Sequence, residues 1–359
     1  MHSGPLSSLR RVNRRSIATH ERFTGFALFA LLSCLAAMLF AVLVVGAGVA
    51  YARPAVPHGV HYDLPLEKGE WSLSYAYRRE EGRGLRDGTD RVDTSDASSA
   101  SITQVPTRLD SDVHTFGVRY APFKRLTLSL MLPLIEREMR TRSFDGGGDR
   151  YTTRSSGLGD LEIAIMFPFM TKGEEALDLF AGLRLPTGEI SERDDIPGDG
   201  DSGKVLLPRS MQTGSRSVAL LAGLTYSGSW EGLGWGVHGN GSIGVEDNPR
   251  HYRHGDVLSF SGWLAHDIVE QLSASLRIGY DRWKRHRGDK VVGPDDHLAS
   301  LRSRTRGQRL SLSPGLNIAL PFKGEQRLSL EASWPVYQKL VGPQVERDWT
   351  LSTGWKWVF

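Results

Sequence analysis

From residue 69 to the C-terminus, apolar and polar residues alternate in segments of about ten, separated by turn-forming residues. Successive side chains on a strand point to opposite faces, so each segment predicts a ribbon with one apolar and one polar or small face. The pattern is plainest in Leu126, Leu128, Leu130, Leu132 and Leu134, and in Leu161, Ile163, Ile165, Phe167 and Phe169. Trp71, Leu73, Tyr75 and Tyr77 open the series. Trp349, Leu351, Thr353, Trp355, Trp357 and Phe359 close it. The pattern predicts about twelve strands, with two of them, near 112–121 and 256–267, less regular than the rest. No helical periodicity persists after residue 69.

The spacing between segments adds a second signal. Short links near 122–125, 171–175, 228–232, 267–270 and 322–326 alternate with long ones near 81–110, 139–156, 187–213, 246–254, 285–307 and 339–347. Outer-membrane barrels have tight turns on the periplasmic rim and long loops on the outer one. The fold class expected is therefore all-β: a transmembrane antiparallel up-and-down β-barrel of about 12 strands. A soluble β-sandwich also has many short strands, but does not call for apolar ladders on strand after strand beside wholly polar faces.

The N-terminus supports export. Arg10, Arg11, Arg14, Arg15 and Arg22 precede an uncharged apolar run over 23–49, which ends in Ala50-Tyr51-Ala52. That arrangement predicts a signal peptide at 1–52, cleaved before Arg53. A periplasmic leader at 53–68 and a barrel at 69–359 complete the expected organisation. With the first 52 residues set aside, the chain's formal charge changes from +3 to −1, with 39 basic and 40 acidic residues remaining. No basic footprint for nucleic acid survives. The single cysteine, Cys34, lies within the signal, so the mature chain has no thiol chemistry.

The polar faces carry the candidate functional groups: Arg119, Asp160, Glu162, Asp178, Arg184, Arg277, Arg327, Glu331 and Lys356. A charge on the lipid side costs roughly 2–4 kcal/mol at mid-depth for Arg or Lys, so these residues are placed in the lumen. They can either select a solute in an open pore or fill a closed interior with ion pairs.

Other groupings have plainer readings. Gly157-Leu158-Gly159-Asp160 lacks the Lys-Ser/Thr and helix of a phosphate loop, and is expected to be a turn entering a strand. The acidic stretch from Glu189 to Asp201 lacks EF-hand spacing and reads as a solvated outer loop. His58, His61 and Asp63 supply too few ligands for a metal centre and read as surface groups of a mobile leader. The basic loop at 284–309 suits lipopolysaccharide phosphates or plain solvent. No cofactor or metal is implied. A barrel hydrolase would need a Ser, a His and an orienting partner; His238 faces the lumen side with no nucleophile motif near it in sequence, and His114 and His266 lie on strands of uncertain register.

Three stretches together resemble one family. They are Gly157-Leu158-Gly159-Asp160-Leu161, Leu183-Arg184-Leu185-Pro186-Thr187-Gly188-Glu189, and Trp334-Pro335-Val336-Tyr337-Gln338 followed by Gly342-Pro343-Gln344-Val345. This looks like the outer-membrane family named for the MetA pathway of phenol degradation, whose members are described as transporters. The resemblance implies passive transport of small organic solutes, aromatics among them, and covers about 290 residues. Trp355, Trp357 and Phe359 are similar to the C-terminal signal that such barrels present to their assembly machinery. The partners implied are outer-membrane lipid and lipopolysaccharide, that machinery, and a small organic solute. A closed structural barrel is the alternative.

Overall fold

The computed structural model describes residues 56–60, 65–145, 148–196, 203–288 and 293–359. The signal-peptide segment, His61, Asp63 and Lys290 lie outside them. In chain order the strands are β1 (Trp71–Gly88), β2 (Asp90–Val92), β3 (Gln104–Phe123), β4 (Leu126–Ser143), β5 (Arg150–Leu158) and β6 (Leu161–Lys172). Then follow β7 (Glu175–Leu185), β8 (Arg193–Asp194), β9 (Val205–Leu206), β10 (Ala219–Trp230), β11 (Leu233–Gly244) and β12 (Tyr252–Arg253). The last are β13 (Val257–Val269), β14 (Leu272–Trp283), β15 (Arg287–Gly288), β16 (Gly307–Leu320) and β17 (Glu325–Val358).

Eleven of these form one closed antiparallel barrel, in the order β1, β3, β4, β6, β7, β10, β11, β13, β14, β16 and β17, with β17 pairing back onto β1. A ring in which every neighbour is antiparallel needs an even number of staves, and β17 supplies the missing one. It is 34 residues long. Its first half pairs with β16 from Gln326 to Leu340, and its second half pairs with β1 from Leu340 to Val358. Gly342, at φ +74, sits at the reversal, a conformation that favours glycine. Across the hairpin, Thr353 Oγ1 donates to the Ser329 carbonyl and Trp355 Nε1 to Gln326 Oε1. The barrel thus has twelve staves. Trp71 and Phe359 exchange backbone hydrogen bonds of 2.8 and 3.0 Å at the seam.

Alternation sorts the two faces. Phe116, Leu128, Ile163, Ile165, Leu224, Val237, Leu264, Leu276 and Ile278 point outward and are exposed in the isolated chain, whereas Ser72, Thr127, Ser129, Ser273 and Ser313 point inward and are buried. A water-soluble chain reverses that order. The outward band is solvated by lipid, and apolar packing on the inward face is confined to small clusters.

The short connections are real turns. At Glu231-Gly232 both residues have positive φ, 48° and 81°, and Trp230 pairs with Leu233 across them; this is the two-residue hairpin loop whose twist matches the strands. Three expected long loops, 81–110, 139–156 and 339–347, are instead largely strand. Beyond the apolar band both faces are wet, so alternation disappears from the sequence although the ladder continues. Ion pairs hold it there: Arg79 with Asp112 at 2.9 Å, Arg108 with Asp110 at 2.7 Å and Glu81 at 3.1 Å, Arg86 with Glu346 at 2.6 Å.

β13 was hard to register because Trp263 faces inward, with Leu264 outward beside it. Trp263 is buried against Val56, Val60 and Ala265. The leader at 56–60 therefore lies against the inner wall, not on a mobile surface.

Shortening the chain by Phe359 removes both backbone hydrogen bonds of the seam exchange with Trp71. The expected outcome is a severalfold loss of heat-modifiable folded barrel on unboiled gels. Unchanged folded yield counts against a closing role for this residue.

Candidate functional site: the barrel lumen

Two cavities of about 290 and 470 Å³ lie along the axis of the barrel. Both are bounded by Arg78 and Glu80 of β1, Val113 and Thr115 of β3, and Asn240 of β11. Because both cavities share these residues, this level is the boundary between two chambers. Arg78 and Arg347 both pair with Glu80, the first at 3.2 Å.

The lower chamber is floored by the leader. His58 Nδ1 lies 3.0 Å from Ser329 Oγ, and the Gly59 amide donates to Glu331 Oε2 at 3.3 Å. Glu331 is buried and pairs with Arg277 at 2.6 Å. A Cβ on Gly59 would come within 2.6 Å of the Arg277 guanidinium, so glycine is needed for the leader to pass this pair. Arg119, Arg327 and Lys356 stand on the same inward face nearer the short-turn rim, beside Ser72 and Ser129, opposite Ala319, and opposite Ser74 respectively.

The upper chamber holds Arg184 and Glu162, ladder partners joined at 2.8 Å. Asp178 is buried opposite Thr225. His238 borders the lower chamber instead and is fixed at both ring nitrogens, 2.8 Å from Thr225 Oγ1 and 2.9 Å from Asn240 Nδ2, with its ring stacked on Phe180. Thr225 is 3% exposed, so a hydroxyl does lie beside this histidine, but buried within a satisfied network. His114 faces outward and is 2.8 Å from the Tyr75 hydroxyl, and His266 is exposed on the lipid face.

Asp160 departs from a free luminal charge. Its two oxygens accept from the Gly188 amide at 3.0 Å and the Ser215 amide at 2.8 Å. Thr187 Oγ1 accepts from the Leu161 amide and donates to the Gly159 carbonyl. Gly188 and Gly214 approach so closely that a Cβ on either would lie within 2.5 Å of the other's backbone. Gly159-Asp160 is therefore not a turn entering a strand. It interrupts a stave, with β5 above and β6 below, both pairing with β4. The break lets backbone from 187–189 and 213–215 dock there.

That docking folds the outer loops inward. Leu207 and Met211 are fully buried against Met139 of the inner wall, and Arg137 donates to the carbonyls of Ser210 and Gln212. The basic loop contributes too: Leu298 packs with Leu85 and Val105, and buried His297 lies 3.3 Å from Thr141 Oγ1. The basic loop is therefore not plainly solvated around His297 and Leu298, whereas Glu189 and Asp195 of the acidic stretch are exposed. Gln212 to Ser215, beyond that stretch, roof the upper chamber.

Two half-buried histidines stand near this level, His254 bordering the upper chamber. The His254 and His286 rings are 4.6 Å apart. Burial, then the neighbouring His286 and Arg184, Arg137 and Arg209, push His254 well below its ordinary range. Burial and Arg209 push His286 down to about 4. Among the described residues no cluster of three or more metal-type ligands occurs. Sequence reading missed Arg78, Glu80, Arg137 and Arg347 because they sit where both strand faces are polar. Their inward parity, continued from the regular part of each strand, was the available signal.

Replacing the Asp160 carboxylate tests the docking. Asp160→Ala strips two buried amides of their acceptor, each worth about 1–3 kcal/mol, so the thermal midpoint of the folded barrel should fall by several degrees, with Asp160→Asn intermediate. The histidines give a pH prediction. Their folded pKa values are depressed, so their full contribution is present above about 6.5, the ordinary value, and is lost as pH falls toward 4. Amide exchange at 251–256 and 284–288, corrected for intrinsic rate, should accelerate over that interval, and His286→Phe should flatten the change.

No family model matches the sequence, and no curated protein matches it. The fold does match. A crystal structure of an outer membrane channel from Pseudomonas putida F1 superimposes with a TM-score of 0.59 at 15% identity, over 85% of this chain and 100% of that one. The transport unit of the autotransporter AIDA-I from Escherichia coli gives 0.46 at 9% identity, over 85% and 93%. The P. putida toluene transporter TodX gives 0.39 at 10%, over 82% and 91%. The closed barrel, its lipid-facing apolar band and the first of these matches establish an outer-membrane β-barrel.

Proposed function

We propose that this barrel is a passive outer-membrane channel for small organic solutes, aromatic ones among them. The observation that carries the reading is the pair of chambers meeting at the level of Arg78 and Glu80, walled by charged, polar and apolar side chains together. The upper chamber is about 470 Å³, against roughly 150 Å³ for a cavity that takes benzene. It suits one small ring with some water. The channel named in the first structural match supports transport as the class, and the resemblance to the phenol-degradation family supports aromatics. An export signal at 1–52 fits the same account, as do the lipid and lipopolysaccharide around the barrel and the assembly machinery reading Trp355, Trp357 and Phe359.

In this reading the mixed charges of the wall keep the lumen wet, while the leader and the roof narrow its two ends. A closed structural barrel is the second reading, favoured by those same two obstructions. Planar-bilayer conductance separates them. The intact protein should give small, steady openings, and removing residues 56–60 should raise the conductance severalfold. No openings from either protein, with the barrel folded, rejects the channel.

A further inference from the structure

The upper chamber has two unlike walls. One is apolar: Met131 and Ile135 of β4, Phe180 of β7, Leu221 of β10 and Val257 of β13. Phe180, Leu221, Ala164 and Met166 pack as one cluster with Met131 against it. The other wall carries guanidinium groups. Arg78 borders the chamber directly, and its side chain keeps 43% exposure toward the lumen.

The acids here are largely committed. Glu162 is paired with Arg184. Asp160 has given both oxygens to backbone amides. Glu80 is shared by Arg78 and Arg347, with Arg137 and Arg309 also near enough to act on its charge. Arg309 is held by Gln338 at 3.2 Å and lies over the Trp283 ring, and Asp281 is the further carboxylate acting on it. Around Glu80, four guanidiniums therefore stand against two carboxylates. Arg137 gives Nη1 to two neutral carbonyls of the roof, and no carboxylate is bonded to it.

A planar guanidinium binds a carboxylate through paired, charge-assisted hydrogen bonds. An aromatic or aliphatic wall facing it holds the apolar body of the same molecule. We propose that the upper chamber is a binding site for a small organic monocarboxylate, its carboxylate on Arg78 and Arg137 and its ring or chain on Phe180, Met131 and Leu221. The proposal deepens the channel reading, and depends on it only for how the solute arrives. A neutral aromatic lacks the charge to displace water from the guanidiniums. A small carboxylate without a ring lacks the apolar contact.

The test is calorimetric titration of the folded full-length barrel in detergent, with empty micelles subtracted, using benzoate, benzyl alcohol and acetate. Benzoate should bind once per barrel and at least tenfold more tightly than either of the others. Arg78→Gln should weaken benzoate about tenfold and leave benzyl alcohol unchanged. Raising salt on the unaltered protein should weaken benzoate and leave benzyl alcohol unchanged, a readout that stands whether or not the variant folds. Benzoate binding no tighter than benzyl alcohol, or insensitive to both salt and the variant, overturns the proposal. Liposome swelling keeps the two readings apart. Swelling with neutral solutes but no benzoate preference sinks the carboxylate site and spares the channel; benzoate binding without swelling does the reverse.

Discussion

Lipid offers no hydrogen-bond partner, and that constraint shapes everything else in this chain. Each backbone amide and carbonyl within the apolar band must be paired by the protein itself. An open sheet leaves two edges unpaired, so the sheet must close. Here the closure is made by the last half of β17 on β1. The hairpin inside β17 follows from the same demand, because a ring of antiparallel neighbours cannot close on an odd number. Once the ring is closed, the alternation of side chains delivers an apolar exterior and a largely polar interior, with only small apolar clusters inside.

A polar interior has its own cost, since charges removed from bulk water need partners. Arg277 with Glu331 and Arg184 with Glu162 meet that need across neighbouring staves. The Asp160 junction meets it differently, by using a carboxylate to fasten backbone. Three glycines allow the chains to approach there, and the result anchors the segment whose Leu207 and Met211 roof the lumen. The same residues that resemble a family motif thus build a joint between barrel wall and outer loop.

The sequence was most readable where one strand face met lipid and the other met water. Leu126 to Leu134 and Leu161 to Phe169 announced both strand and register, because only one assignment put every apolar side chain outside. Readability failed where that contrast vanished. Glu81 to Gly88 continues β1, yet reads as a loop because both its faces are wet. Trp263 blurred β13 because its inward side chain is covered by a leader 200 residues away in sequence. Luminal groups were found by parity alone, which says that Asp160 is inside but not that amides at 188 and 215 consume it. The partners of such groups come from long-range contacts that no local pattern encodes.

The ion-paired upper wall has a consequence of its own. A single strand such as β4, 18 residues long, passes through two media. Its lower part is ordered by exclusion from water and is indifferent to dissolved ions. Its upper part is ordered by opposite charges within reach of solvent, where screening acts over about 8 Å at physiological ionic strength. The barrel is thus one continuous sheet with two separate sensitivities, and the mouth can loosen in brine while the membrane-embedded ring stays shut.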